Sequence, residues 1–224
     1  MTVTDMSGAA DTSSADQSID SEHRSDGHGQ SQFDETDLLA VEPYEVLENP
    51  VLKQEYRFLR RDTDEKGEYL HSEFRFQADA KSFGEHIHPD QEETLRVLEG
   101  EFEIVVDGDR QTLTVGEEAT LPAGVPHYHG NVSGVETRVL HEIRPAMDFE
   151  EGLRMFSQLA QAGKTNANGE NLLATAVFLA ARPKQLYMAS PSIRVQNLLL
   201  RALAPIGRLL GYQTHYPPAE SPDN

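Results

Sequence analysis

Through the middle of the chain, apolar and polar residues alternate over short runs. Residues 101–106 (EFEIVV) open in near-strict alternation, the pattern of a strand with one face buried. Asp107-Gly108-Asp109 follows and reads as a hairpin turn, because glycine enters positive φ without steric cost. Residues 111–115 (QTLTV) alternate again and are expected to pair back. Residues 56–60 and 69–76 are the first expected strands, joined by the polar turn 62–67, and 135–141 is a late one. Short strands broken by frequent turn signals predict an all-β sandwich or barrel.

Beyond residue 147 the period changes. Phe149, Leu153, Phe156 and Ala160 recur at helical spacing. Asp148 is the expected N-cap, with Glu151 three residues on as its capping-box partner. A loop over 164–169 leads to an apolar helix over 171–181, which Arg182-Pro183 stops. Ser190 and Pro191 suit an N-cap and first helical position for a last helix. That helix should reach about Leu210, kink at Pro205 and stop at Gly211. The expected division is a disordered acidic tail over 1–37, a barrel over 38–146, a helical extension over 147–212 and a flexible end over 213–224. The tail assignment rests on its Ser, Asp, Thr, Gly and Gln content, too polar to offset chain entropy by burial.

The candidate chemistry lies within 84–131. His86 and His88 are two apart, so on a strand their imidazoles share a face while Ile87 turns away. Glu93 follows His88 by five residues, and His127 follows the turn-rich run Pro122-Ala123-Gly124-Val125-Pro126. Three imidazoles and a carboxylate suit a divalent transition metal. Glu92 is the alternative carboxylate if the strand register slips by one. His129 shares the strand face of His127, as a neighbour of the site or as a rim residue. His141 on the late strand is the other candidate neighbour, and Tyr128 alternates away into packing.

These residues also carry a family resemblance. His86-x-His88-x4-Glu93-x6-Gly100 resembles the first motif of the cupin superfamily, and Gly116-x5-Pro122-x-Gly124-x2-His127-x3-Asn131 resembles the second. The glycine that usually opens the first motif is Ala80 here, with Gly84 nearby to turn the loop. The resemblance covers roughly residues 50–145. It implies a mainly β fold, a double-stranded β-helix or jelly roll, here followed by about three C-terminal α-helices. It also implies His86, His88, Glu93 and His127 as metal ligands for one divalent ion: iron, manganese, nickel, copper or zinc. Dioxygenases, isomerases, decarboxylases and epimerases are the activities it suggests.

Charge narrows the partners. With 38 acidic against 19 basic residues the net charge is −19, a surface that repels nucleic acid. Arginine outnumbers lysine fourteen to five and there is no cysteine, which excludes thiolate sites. Such a composition is similar to that of halophilic proteins, which work in molar salt, where carboxylate repulsion is screened. The N-terminus has no basic segment followed by an apolar run, and no run of 18 apolar residues occurs, so a cytoplasmic location is expected. From 171 to 218 there is no Asp or Glu at all, while Arg194, Arg201 and Arg208 are spaced by seven along one helix face. Such a basic amphipathic tail can dock on the acidic barrel, pair with a second copy as a homodimer, or lie peripherally on a membrane.

Two functions fit. One is a metal-dependent enzyme of dioxygenase or isomerase type acting on a small molecule. The other is a non-catalytic module that binds or senses a small ligand at the metal. A second inward acid or base, for which His141 and Glu142 are candidates, favours the enzyme. A structural protein with a vestigial site fits poorly with a complete ligand set.

Overall fold

The computed structural model describes residues 35–218, with side chains from Asp37. The acidic tail expected over 1–37 lies outside the described residues, except that Glu35–Leu39 forms a short helix, α1. Among the described residues there are eleven strands. They are β1 Glu45–Asn49, β2 Gln54–Asp64, β3 Gly67–Phe76, β4 His86–Ile87, β5 Glu92–Glu99, β6 Phe102–Val106, β7 Asp109–Leu113, β8 Glu118–Leu121, β9 His127–Asn131, β10 Thr137–Arg144 and β11 Tyr187–Met188. Three longer helices complete the fold: α2 Phe149–Gln161, α3 Leu172–Ala181 and α4 Ile193–Leu209.

The strands build two antiparallel sheets, a six-stranded one in the order β1-β2-β3-β10-β5-β8 and a five-stranded one in the order β11-β4-β9-β6-β7. Alternate residues point between the sheets: Tyr56 and Phe58 from β2, Leu95 and Val97 from β5, Phe102 and Ile104 from β6, Val139 and Ile143 from β10. Each such buried side chain stabilises the fold by about 1.5–3 kcal/mol. The β6–β7 hairpin closes through Asp107 and Gly108, both at positive φ, as a two-residue turn with the twist of its strands requires. The mainly β class and the C-terminal helices are as expected.

The outer face of β2, β3 and β10 is charged. Glu73 takes hydrogen bonds from Arg75 (2.9 Å) and Arg138 (2.6 Å). On the same side His71 meets Glu142 at 2.5 Å, and Arg144 bonds both Glu142 and Asp64. Glu142 therefore faces away from the barrel interior, correcting its expected place as an inward acid. Strand parity decides this: Val139, His141 and Ile143 point inward, so Leu140 and Glu142 cannot.

The helical extension packs as a second apolar cluster. Met155 and Leu159 of α2 meet Ala174, Ala176, Phe178 and Leu179 of α3, Leu200 of α4, and Tyr187 and Tyr216. Gly207 lets α3 and α4 approach, since a Cβ there would lie 2.8 Å from the Leu173 carbonyl oxygen. Asn171 caps α3, its side chain accepting the Ala174 N–H.

Three local expectations are corrected. Asp148 precedes α2 but makes no side-chain cap bond, its backbone (φ −102°, ψ 29°) lying outside the extended region that capping uses. Glu151 turns instead to Arg182 and to the Tyr216 N–H, where charge-assisted bonds are stronger than a reciprocal cap. The last helix begins at Ile193 after Ser192, not at Pro191. Gln196 reaches back to accept the Met188 N–H and to donate to the Met188 and Pro191 carbonyls, holding 188–191 as a turn; the helix runs on through Pro205 to Leu209. The end expected to be flexible from 213 is held through 218: Tyr216 is buried, and Arg154 and Gln158 donate to the Tyr216 and Pro217 carbonyls. Residues 219–224 lie outside the described part.

Candidate metal centre

Two neighbouring strands deliver the histidines. His86 on β4 pairs directly with His127 on β9, and His88 follows β4 by one residue. Between the motifs, Gly124 takes a left-handed turn (φ +77°) and its N–H donates to the His88 carbonyl at 2.8 Å, tying the two segments together. From the opposite sheet β5 presents Glu93, buried, whereas Glu92 beside it is exposed. Strand parity thus selects Glu93 over Glu92.

The imidazoles are held in one tautomer. His86 Nδ1 lies 2.8 Å from the Gly84 carbonyl, His127 Nδ1 2.9 Å from that of Val125, and His88 Nδ1 2.8 Å from that of Gln185. A carbonyl can only accept, so each Nδ1 carries the proton and each Nε2 is left as a lone pair. Gln91, absent from the sequence reading, lies beside His88 (3.2 Å). Its amide donates to the Pro145 and Ala146 carbonyls, and Gln185 donates to its oxygen. Nothing in the sequence signalled Gln91 or Gln185, because the partner atoms are backbone carbonyls and side chains remote along the chain.

One ligand atom from each of His86, His88, Glu93 and His127 lies within 4.8 Å of the others, and all four residues are buried. His88 Nε2 is 3.3 Å and His127 Nε2 3.7 Å from the Glu93 carboxylate. Glu93 Oε2 and His127 Nε2 are buried without a hydrogen-bond partner. Orphaned buried acceptors are costly, and a cation among them would satisfy both. Residues and group fit.

The two expected neighbours also approach Glu93. His141 Nε2 is 3.6 Å away, its ring fully buried and stacked between Phe74 (centroids 4.4 Å) and Phe149 (5.2 Å). His129 Nε2 is 3.8 Å away and is not a rim residue, since it lines the cavity above the site. Burial pushes His86 well below the usual histidine range and His129 down to about 4. Burial alone would raise Glu93, but the surrounding imidazoles, His141 first, hold it well below the usual carboxylate range. Burial thus favours the neutral form at His86 and His88, the form in which an imidazole can ligate a metal.

Above the site lies a cavity of about 90 Å³ between the barrel and the helices. Its walls are Leu52, Phe74, Phe83, Phe149, Leu153, Met155, Phe156 and Phe178, with Gln54, Tyr56, Thr175 and Gln185 as polar points; among the described residues no Lys or Arg lines it. The extension therefore forms half of the cavity. It also adds β11 to the edge of β4, pairing Met188 with His86.

Comparison with known proteins agrees with the geometry. Residues 72–141 match the family described as the cupin domain. A quercetin 2,3-dioxygenase of Bacillus subtilis is 44% identical over 46 residues, 20% of this chain and 14% of that protein. An uncharacterised protein of Aquifex aeolicus is 29% identical over 70 residues, 31% of this chain and 57% of that one. The chain thus spans about one seventh and just over half the length of these relatives. Among solved structures, an RmlC-like cupin from Shewanella frigidimarina matches at 22% identity with a TM-score of 0.40, over 46% of this chain and 86% of that one. With both motifs and the family match on the same strands, the barrel of this chain belongs to the cupin superfamily.

Proposed function

We propose that this protein is a metal-dependent enzyme that oxygenates a neutral, largely apolar small molecule. One observation carries the reading. The lone pairs of three carbonyl-anchored imidazoles and the Glu93 carboxylate meet at the floor of a cavity walled by phenylalanines and, among the described residues, without a lysine or arginine. His86, His88, Glu93 and His127 would hold the ion, which when bound supplies Lewis acidity or, if redox-active, electron transfer to dioxygen.

The chain's own residues do the remaining work. Phe74, Phe83, Phe149 and Phe156 exclude water and offer flat faces to an aromatic substrate. Gln54 and Tyr56, hydrogen-bonded to each other at 2.6 Å, can fix a hydroxyl or carbonyl. His141 and His129 are the groups placed to take or return a proton through Glu93. The local similarity to a quercetin dioxygenase favours oxygenation over isomerisation. Walls with no Lys or Arg among the described residues disfavour sugar phosphates and other anions.

The test is dioxygen uptake by protein loaded in turn with iron, manganese, nickel, copper or zinc, offered a panel of polyphenols including quercetin. Uptake that requires both metal and polyphenol, and is lost in His86→Ala, supports the proposal. Tight metal-dependent binding of the same compounds with no uptake would instead favour a ligand-sensing module.

A further inference from the structure

We propose that the outer face of α4 docks on an anionic lipid bilayer. Helix α4 turns only a narrow strip inward, with Leu200, Ala204 and Gly207 buried. Its outward side carries Val195, Leu198, Leu199, Ile206 and Leu209, with Leu210 at the C-cap; Leu198 is 70% and Leu209 87% exposed. At 100° per residue these side chains occupy one continuous sector of roughly 120°. Arg194, Arg201 and Arg208 run along the edge of that sector, each seven residues on and about 20° back from the last. Leucines and arginines therefore share the exposed side of the helix. All three arginines are exposed, and none makes an ion pair among the described residues.

An apolar stripe edged by arginines is the pattern of a helix lying in a membrane interface. The charge distribution selects this occupant. The whole chain carries −19, yet 171–218 contains no acid, so an anionic surface attracts this face and repels the rest, orienting the molecule. A second copy fits worse. A two-fold contact would bring six arginines together with no carboxylate from the segment to offset them. Among the described residues no helix is long and apolar enough to cross a membrane, so the contact is peripheral.

A second cavity lies against the same helix, lined by Leu199, Leu200 and Leu203 together with Phe83, Phe156 and Leu186. It shares Phe83, Phe156 and Leu186 with the cavity above the metal site. Docking would place this apolar route beside the lipid, a path for a membrane-dissolved substrate. That consequence rests on the catalytic reading; the docking does not.

The experiment is co-sedimentation of the full chain with vesicles of pure phosphatidylcholine and of phosphatidylcholine with 30% phosphatidylglycerol, at 0.05 and 0.5 M salt. The variants are Arg194→Gln/Arg201→Gln/Arg208→Gln and Leu198→Ser/Leu209→Ser, with melting temperature as a check on folding. Binding only to anionic vesicles, weakened by salt and reduced about 100-fold without the three charges, is the expected result. Equal binding to both vesicles, or none by the wild type, overturns the proposal. A dimer in sedimentation equilibrium that Leu198→Ser/Leu209→Ser splits, without vesicle binding, would assign the face to a second copy. None of these readouts depends on metal or turnover.

Discussion

Glu93 sits buried within 3.3–3.8 Å of the Nε2 atoms of His88, His127, His129 and His141. An unsatisfied carboxylate so placed is expensive, and a cation relieves both it and the lone pairs. Supporting residues should then matter nearly as much as ligands. Gln91→Ala frees the Pro145 and Ala146 carbonyls and the His88 side, and should weaken metal binding by about 10–100-fold. Competition titration against a chromophoric chelator measures it, and unchanged affinity would show that His88 is oriented by Gln185 alone. Away from the site, burial alone would raise Glu73, but the hydrogen bonds from Arg75 and Arg138 hold it below its ordinary value of 4.5. A carboxyl lowered on folding stabilises fully above that value and loses its contribution as pH falls through the folded one. Glu73→Gln should therefore cost about 1–3 kcal/mol at pH 7, with the gap to wild type closing below pH 4.5. A gap constant across pH would refute the charge assignment.

The elements differ in how plainly they can be read. Both motifs and the β6–β7 hairpin were legible because their spacing and turn residues are local rules. β1 was missed because its five residues, EVLEN, carry too few apolar positions to show a period. β11 has two residues and exists only because β4 offers an edge. The capping box failed because Arg182, 31 residues away, takes Glu151. Glu142 was misplaced because parity along β10 is set by its partners β3 and β5. What pairs at a distance leaves no periodic trace. The extension is nevertheless closely fitted where α3 meets α4. Gly207→Val should collide with the Leu173 carbonyl and Val177, costing about 1–3 kcal/mol by overpacking. Denaturant unfolding reads this directly, and a neutral result would mean that α3 and α4 are loosely joined.

On the scale of the whole molecule, the barrel brings a site and the extension completes it. Gln185 and β11 supply a carbonyl and a strand to the histidine segment, and α2 and α3 wall the cavity. The net charge of −19 must repel itself in dilute buffer. Raising salt from about 0.05 to 1 M shortens the screening length severalfold and should raise the melting temperature by several degrees. A flat or falling profile would set the halophile-like composition aside as unrelated to stability. The central claim is the metal itself, and the most direct measurement is elemental analysis of untagged wild-type protein beside His127→Ala. One transition metal per chain in the wild type, lost in a variant that still melts cooperatively, is the predicted result. A wild type that stays metal-free after reconstitution, or a variant that keeps its full complement, would contradict the account.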